Sequence, residues 1–289
     1  YENCVAQCNI VLNDKSLELV KGNNVVKEVF YEGNSTESIF ELQFDKNTQY
    51  NNSVRNLYGF YYSNDGTWSY PAFLVPTGNY TPFRYQPATM NESASDIREI
   101  TSVNYTANGK GYNIVKYALM DYAMINNVEA VAYRSSSTTP NWILYRLSDI
   151  MLMKAEALVQ LNRDDSDLKS ALELVNQTYL RSNLTADSLQ FNKYPDKSSM
   201  QDLLMRERQR ELMFEGKRWF DLMRIVKRTQ DATSILKYIG PKLTGDNLQI
   251  KKMSVIDALY MPVHQSQIDI NPNLTQNPFY EDAESSSSN

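Results

Sequence analysis

Apolar positions fall into a helical rhythm in three places. Leu144, Leu147, Ile150, Met151, Ala155, Leu158 and Leu161 recur with a period near 3.6, and after the polar turn from Asn162 to Ser166 the rhythm resumes with Leu168, Ala171, Leu172, Leu174, Val175 and Leu180. This spacing predicts two amphipathic helices from Trp142 onward, with Pro140 placed to open the first. Small Ala155, Ala157 and Ala171 suit the crossings, so the pair reads as a tetratricopeptide-like hairpin. One hairpin cannot bury both its faces, and it needs neighbours. A third helix is predicted from near Ser199, with Asp202 as a partial capping box, to about Arg228. Nearer the start, Val5, Cys8 and Leu12 predict a helix, with no start signal before it, so a segment preceding Tyr1 is expected. Val25 to Tyr31 predicts a short helical piece ended by Gly33 and Asn34. Ile39, Phe40, Leu42 and Phe44 predict an extended segment. Beyond Gly240, Pro241, Pro262, Pro272 and Pro278 break the chain, and the acidic, serine-rich stretch from Glu281 to Asn289 reads as a disordered tail.

The rhythm fails between residues 50 and 85. Seven Tyr, three Phe and one Trp crowd this stretch, where only Arg55, Asp65 and Arg84 are charged. So many large aromatics oppose disorder. A long loop inside a compact domain is usually functional. Short mixed segments follow around Asp96, Arg98 and Lys116, and then a polar linker from Ser135 to Thr139. The expected divisions are 1–45, the end of a helical region; 46–140, an aromatic-rich excursion; 141–280, a second helical region; and 281–289, the tail. The fold expected is mainly α, a tetratricopeptide-like helical scaffold with long irregular loops and a few short strands.

Composition narrows the chemistry. The 289 residues carry a net charge of -5, and Arg206, Arg208 and Arg210 alternate with Glu207 and Glu211. Mixed signs at helical spacing describe a self-paired face rather than a phosphate-binding stripe, so no nucleic-acid partner is expected. No apolar run is long enough to span a bilayer. Cys4 and Cys8 share a helix face but are too few for structural zinc, and they read as two small buried apolar residues. His264 is the single histidine, which leaves little for triad chemistry. No catalytic residue, metal ligand or cofactor is assigned.

The aromatic stretch is the candidate site. Flat rings cover the apolar faces of sugars while small polar groups satisfy hydroxyls, the general form of a small-molecule site. Trp68 is the candidate platform, with Tyr58, Tyr61, Tyr62, Tyr70 and Tyr80 around it; Asn64, Asp65, Asn79 and Arg84 are the polar candidates. The alternative is a satellite core beneath a loop, and the sequence does not say which tyrosines are core. A glycosidase needs two carboxylates about the scissile bond, and this stretch holds Asp65 alone, with Glu92 and Asp96 beyond it. In the charged helix, Glu207 and Arg210, Arg208 and Glu211, and Asp221 and Arg224 stand three apart. Glu211 and Glu215 stand four apart and need a cation between them, a part for which Arg218 is the candidate. The set reads as an ion-pair network locking the helix to its neighbours, with Gly216 permitting close approach; acid–base work by the two carboxylates is the alternative.

Three stretches resemble the SusD/RagB family of outer-membrane nutrient-binding proteins. The run from Leu144 to Ala157 looks like that family's arginine-led helix ending in Ala-Glu-Ala. The run from Glu207 to Arg224 resembles its helix with a Glu-Gly-x-Arg-Trp-Phe-Asp core. The run from Met261 to Pro278 resembles its closing motif, with Asn-Pro-Asn and a final Asn-Pro, although His264 stands where the family usually has proline. Glu37 to Leu42 and Asp96 to Arg98 fit more weakly. The resemblance implies a SusD-like fold and a surface lipoprotein of the outer membrane, whose lipid anchor and most of whose tetratricopeptide helices precede this chain. It implies capture of an oligosaccharide or polysaccharide and its delivery to a SusC-like TonB-dependent transporter, with no catalysis. A protein–protein scaffold without a glycan site, or a carbohydrate-active enzyme, are the other readings.

Overall fold

The computed structural model describes residues 1–44, 57–58, 61–62, 68–69, 74–75, 96–104, 112–114, 116–117, 120–125, 128–133, 140–240 and 247–285. They form α1 (Glu2–Leu12), a π-helix (Val25–Glu32), β1 (Ser38–Leu42), β2 (Tyr61–Tyr62), β3 (Trp68–Ser69), β4 (Leu74–Val75), α2 (Ile97–Ser102), β5 (Val103–Asn104), β6 (Tyr112–Ile114), β7 (Met120–Ile125), β8 (Val128–Tyr133) and β9 (Trp142–Arg146). Then come α3 (Leu147–Leu161), α4 (Asp165–Ser182), α5 (Lys197–Glu211), α6 (Arg218–Thr229), α7 (Leu236–Ile239), α8 (Asn247–Met253), α9 (Gln265–Ile270) and α10 (Pro278–Ser285). The chain divides into two compact units, Tyr1–Gly216 and Lys217–Asn289.

The main core of the first unit is the expected hairpin. Leu152, Ala155 and Val159 of α3, Ala171 and Val175 of α4, and Met200 of α5 are completely buried in one cluster, against which Val5 and Leu12 of α1 pack. The turn is built locally: Asn162 takes the left-handed conformation (φ 45°), which Asn tolerates, and the Asp164 carboxylate accepts the Ser166 N–H at 2.8 Å to cap α4. Cys8 is buried, and burial and then the neighbouring Cys4 push its thiol up to about 12. Cys8 is thus buried as expected, whereas Cys4, also expected to be buried, is only half-buried.

A second cluster gathers Val29, Phe30, Tyr58, Ile114, Tyr117 and Ile143. Tyr117 meets Phe30 edge-on at 5.0 Å and stacks on Trp142 at 5.1 Å, arrangements that suit the charge distribution of aromatic rings. Gly33 (φ 70°) and Asn34 (φ 52°) end the π-helix as expected, and the Glu41 carboxylate accepts the Asn34 N–H at 3.1 Å.

Three boundaries differ from expectation. Trp142–Arg146 is a strand, antiparallel to β1 with Phe40 opposite Tyr145 and Leu42 opposite Trp142. The helix starts only at Leu147, so Pro140 precedes a strand; pairing with β1 overrides the local helical rhythm. Next, α5 opens one turn earlier than predicted. Asp196 is the N-cap, accepting the Ser198 and Ser199 N–H groups, and Ser199 closes the capping box. Finally, the long charged helix is broken after Glu211, and Phe214 (φ 68°) and Gly216 (φ 73°) take positive backbone φ in the segment that follows. Gly216 therefore serves a positive φ and not a close approach, since a Cβ there would meet only the Trp142 ring at 3.6 Å.

In the second unit, α6 buries Leu222, Met223, Ile225 and Val226, and Arg218 lies over the Tyr238 ring at 5.5 Å. The closing motif works through side-chain amides. Gln276 pairs with both backbone groups of Val263 (2.9 and 2.8 Å), and Asn277 donates to the Asp257 and Tyr260 carbonyls. His264 caps α9, its ring nitrogen accepting the Ser266 N–H at 3.3 Å. Helix α10 runs through Ser285, into the segment read as a disordered tail.

Candidate functional site

The charged residues of α5 and the turn after it converge on an almost completely buried ionic network within the first unit. Arg146, at the end of β9, is 1% exposed. Its Nε and Nη2 grip both oxygens of Glu215 at 2.9 and 2.7 Å, and its Nη1 donates to Glu211 at 2.7 Å and to Glu37 at 3.2 Å. Such two-pronged contacts are what the planar guanidinium supplies and a lysine cannot. Arg181 of α4 bridges Glu37 and Glu211. Arg98 of α2 pairs with Asp96 at 2.7 Å, Glu207 at 2.8 Å and Glu211 at 2.9 Å. Lys116 donates to Glu215 at 2.6 Å and to the Glu211 and Met213 carbonyls. The cations between Glu211 and Glu215 are thus Arg146 and Lys116, not Arg218.

Burial alone would raise the Glu211 carboxyl, but Arg181, Arg146, Arg98 and Lys116 together hold it well below the usual carboxylate range. Burial opposes ionisation of Glu215 too, and Arg146 and Lys116 reverse that. Lys116 itself is shifted down, because burial outweighs its attraction to Glu215. Two carboxylates that stay ionised, closed in by guanidinium groups, have no proton to give and no access to a substrate. The void beside Arg98, Lys116, Arg146 and Glu211 is about 20 Å³, room for a water and not for a ligand. The network is a structural clasp, as expected of this helix.

What it clasps are segments that flank the aromatic stretch in sequence. Glu37 precedes the aromatic stretch, Asp96 and Arg98 follow it, Lys116 lies beyond them, and Arg146 stands where the chain rejoins the helices. All are tied to the α5 end. The sequence pointed to Asp96, Arg98 and Lys116 only as charges in mixed segments. Asp96 and Arg98 pair with each other, but the other partners of Arg98 and those of Lys116 lie about a hundred residues away, which no local spacing reveals.

Of the candidate site residues, Trp68 lies in β3 directly opposite Tyr62 of β2, and Tyr61 lies opposite Ser69. Tyr58 goes to the core: it is 8% exposed, its hydroxyl donates to the Phe214 carbonyl at 3.0 Å, and its ring stacks on Tyr117 at 6.0 Å. It is not an open platform. Tyr70, Tyr80, Asn64, Asp65, Asn79 and Arg84 lie outside the described residues.

The family model described as the SusD family matches residues 79–280. The chain belongs to the SusD family. SusD-like protein P38 of Formosa agariphila is 35% identical over 113 residues, which is 37% of this chain and 21% of that protein. A SusD homolog from Bacteroides thetaiotaomicron shares the fold with a TM-score of 0.66 at 21% identity, over 97% of this chain and 55% of that one. Surface glycan-binding protein A from the same organism, solved in complex with laminarihexaose, gives a TM-score of 0.60 at 21% identity, over 94% of this chain and 58% of that one. This SusD-family chain therefore spans only part of the length of its relatives: just over half of these two solved structures, and a smaller share of the curated one. The mainly helical, SusD-like architecture expected from the sequence is present. Among the described residues no helix is long and apolar enough to cross a membrane.

Proposed function

We propose that this SusD-family chain captures an oligosaccharide at the cell surface and hands it to a SusC-like TonB-dependent transporter, the whole protein being held at the outer membrane by a lipid anchor. The observation that carries the reading is family membership over residues 79–280. A fold shared with a surface glycan-binding protein that was solved with laminarihexaose supports it. The β2–β3 register adds a local reason. Opposed positions of an antiparallel pair share one face, and Trp68 stands opposite Tyr62; these two are the proposed platform, and Tyr61, Tyr70, Tyr80, Asn64, Asp65, Asn79 and Arg84 are the further contacts proposed from the sequence. Tyr58, spent in the core, is left out. The function is capture without chemistry, and the ionised, enclosed Glu211 and Glu215 supply no acid–base pair.

Affinity electrophoresis through gels of laminarin, starch, xylan, mannan and host glycans tests this. The expected outcome is retardation by at least one glycan, lost in Trp68→Ala while the circular dichroism melt is unchanged. Retardation by none, or retardation unaltered in Trp68→Ala, overturns the assignment of the platform, and the former favours a scaffold without a glycan site.

A further inference from the structure

The two cysteines do more than fill space. Their sulfurs lie 4.0 Å apart on one face of α1, and both thiols are free. Cys8 is buried against the helical core, while Cys4 is only half-buried and keeps a path to solvent. A disulfide does not suit this pair. Side chains four apart on a helix have Cβ atoms about 5–6 Å apart, whereas a disulfide needs about 3.8 Å, so closing the bond would require unwinding α1. Zinc does not suit it either, since that ion needs four ligands, and among the described residues no group of three or more His, Cys, Asp or Glu is placed to hold a metal.

We infer that Cys4 and Cys8 form a two-thiol site for one soft cation of the copper(I) class, held between their sulfurs. Thiolate ligands select soft cations, and a digonal ion is satisfied by two of them. With metal–sulfur bonds of about 2.3 Å, as for thiolate on zinc, a linear S–metal–S unit spans about 4.6 Å. The observed sulfurs need to part by only a fraction of an ångström, which side-chain torsion supplies without moving the helix. Each thiol releases its proton to solvent, and two thiolates with one monovalent cation leave one negative charge. Burial and then Cys4 oppose ionisation of Cys8, and Lys154 of α3 favours it, so the bound cation itself must supply most of the stabilisation of the second thiolate.

The test is an anaerobic titration of the reduced full chain with copper(I) buffered by the coloured chelator bathocuproine disulfonate. The expected result is withdrawal of one copper(I) per chain from the chelator, with an X-ray absorption signature of two sulfur neighbours. Cys4→Ser, a change at the half-exposed position that leaves the core intact, loses this uptake, and zinc(II) offered under the same conditions is not retained. Absence of uptake overturns the site, and so does uptake that is undiminished in Cys4→Ser or shows neighbours other than two sulfurs. No glycan enters the measurement, so its outcome is independent of the capture reading.

Discussion

Arg146 shows how much one residue decides here. It reaches three carboxylates on two separate parts of the chain, and each of those carboxylates has a second cation. Removing one partner from such a cluster strands charges that water cannot reach, which costs about 3–5 kcal/mol. Glu211→Gln is therefore expected to lower unfolding stability by that amount, read from urea denaturation at pH 7. The pH dependence follows from the same residue. Its folded pKa lies below the ordinary glutamate value of 4.5, so its contribution is complete above that value and is lost as pH falls through the folded one. The wild-type chain should lose stability steeply below pH 4.5, and Glu211→Gln should flatten that limb. The sequence displayed the acids and arginines of α5 at pairing distance. It did not show that Arg146, Arg181 and Lys116 complete the cluster, because that pairing depends on where the chain returns and not on spacing along a helix.

At the level of elements, local signals were dependable where the chain interacts with itself and failed where a distant partner intervened. The α3–α4 hairpin from Leu147 onward and its Asn162 turn were legible, since the apolar period and the turn residues act over a few positions. The start of α3 was not, because β1, about a hundred residues earlier, recruits Trp142–Arg146 into a strand. The capping box of α5 was legible in kind and displaced by one turn. Asp196→Ala should cost about 1 kcal/mol, the usual worth of an N-cap carboxylate, measured as a shift in urea midpoint. Gly216→Ala should cost about 1–2 kcal/mol for its left-handed backbone even though the Cβ has room, so Gly216→Asn, tolerant of that conformation, should recover most of the loss.

Across the whole chain, stability and the proposed capture are expected to depend on different residues and to separate experimentally. Leu152→Ala, in the centre of the main core and fully buried, should cost about 2–5 kcal/mol. Tyr58→Phe should cost about 1 kcal/mol for its hydrogen bond to the Phe214 carbonyl and leave glycan retardation intact, whereas Trp68→Ala should do the reverse. In the sequence, Tyr58 and Trp68 were both site candidates within one aromatic stretch. What the sequence by itself determined was the helical class, the hairpin, the family and the ionic character of α5, because each rests on period, turn chemistry or contiguous motif. Only the tertiary structure decided which carboxylates share Arg146, that Gly216 takes a positive φ, and that Tyr58 belongs to the core. Those outcomes depend on burial, and burial is set by which distant segments close over a residue.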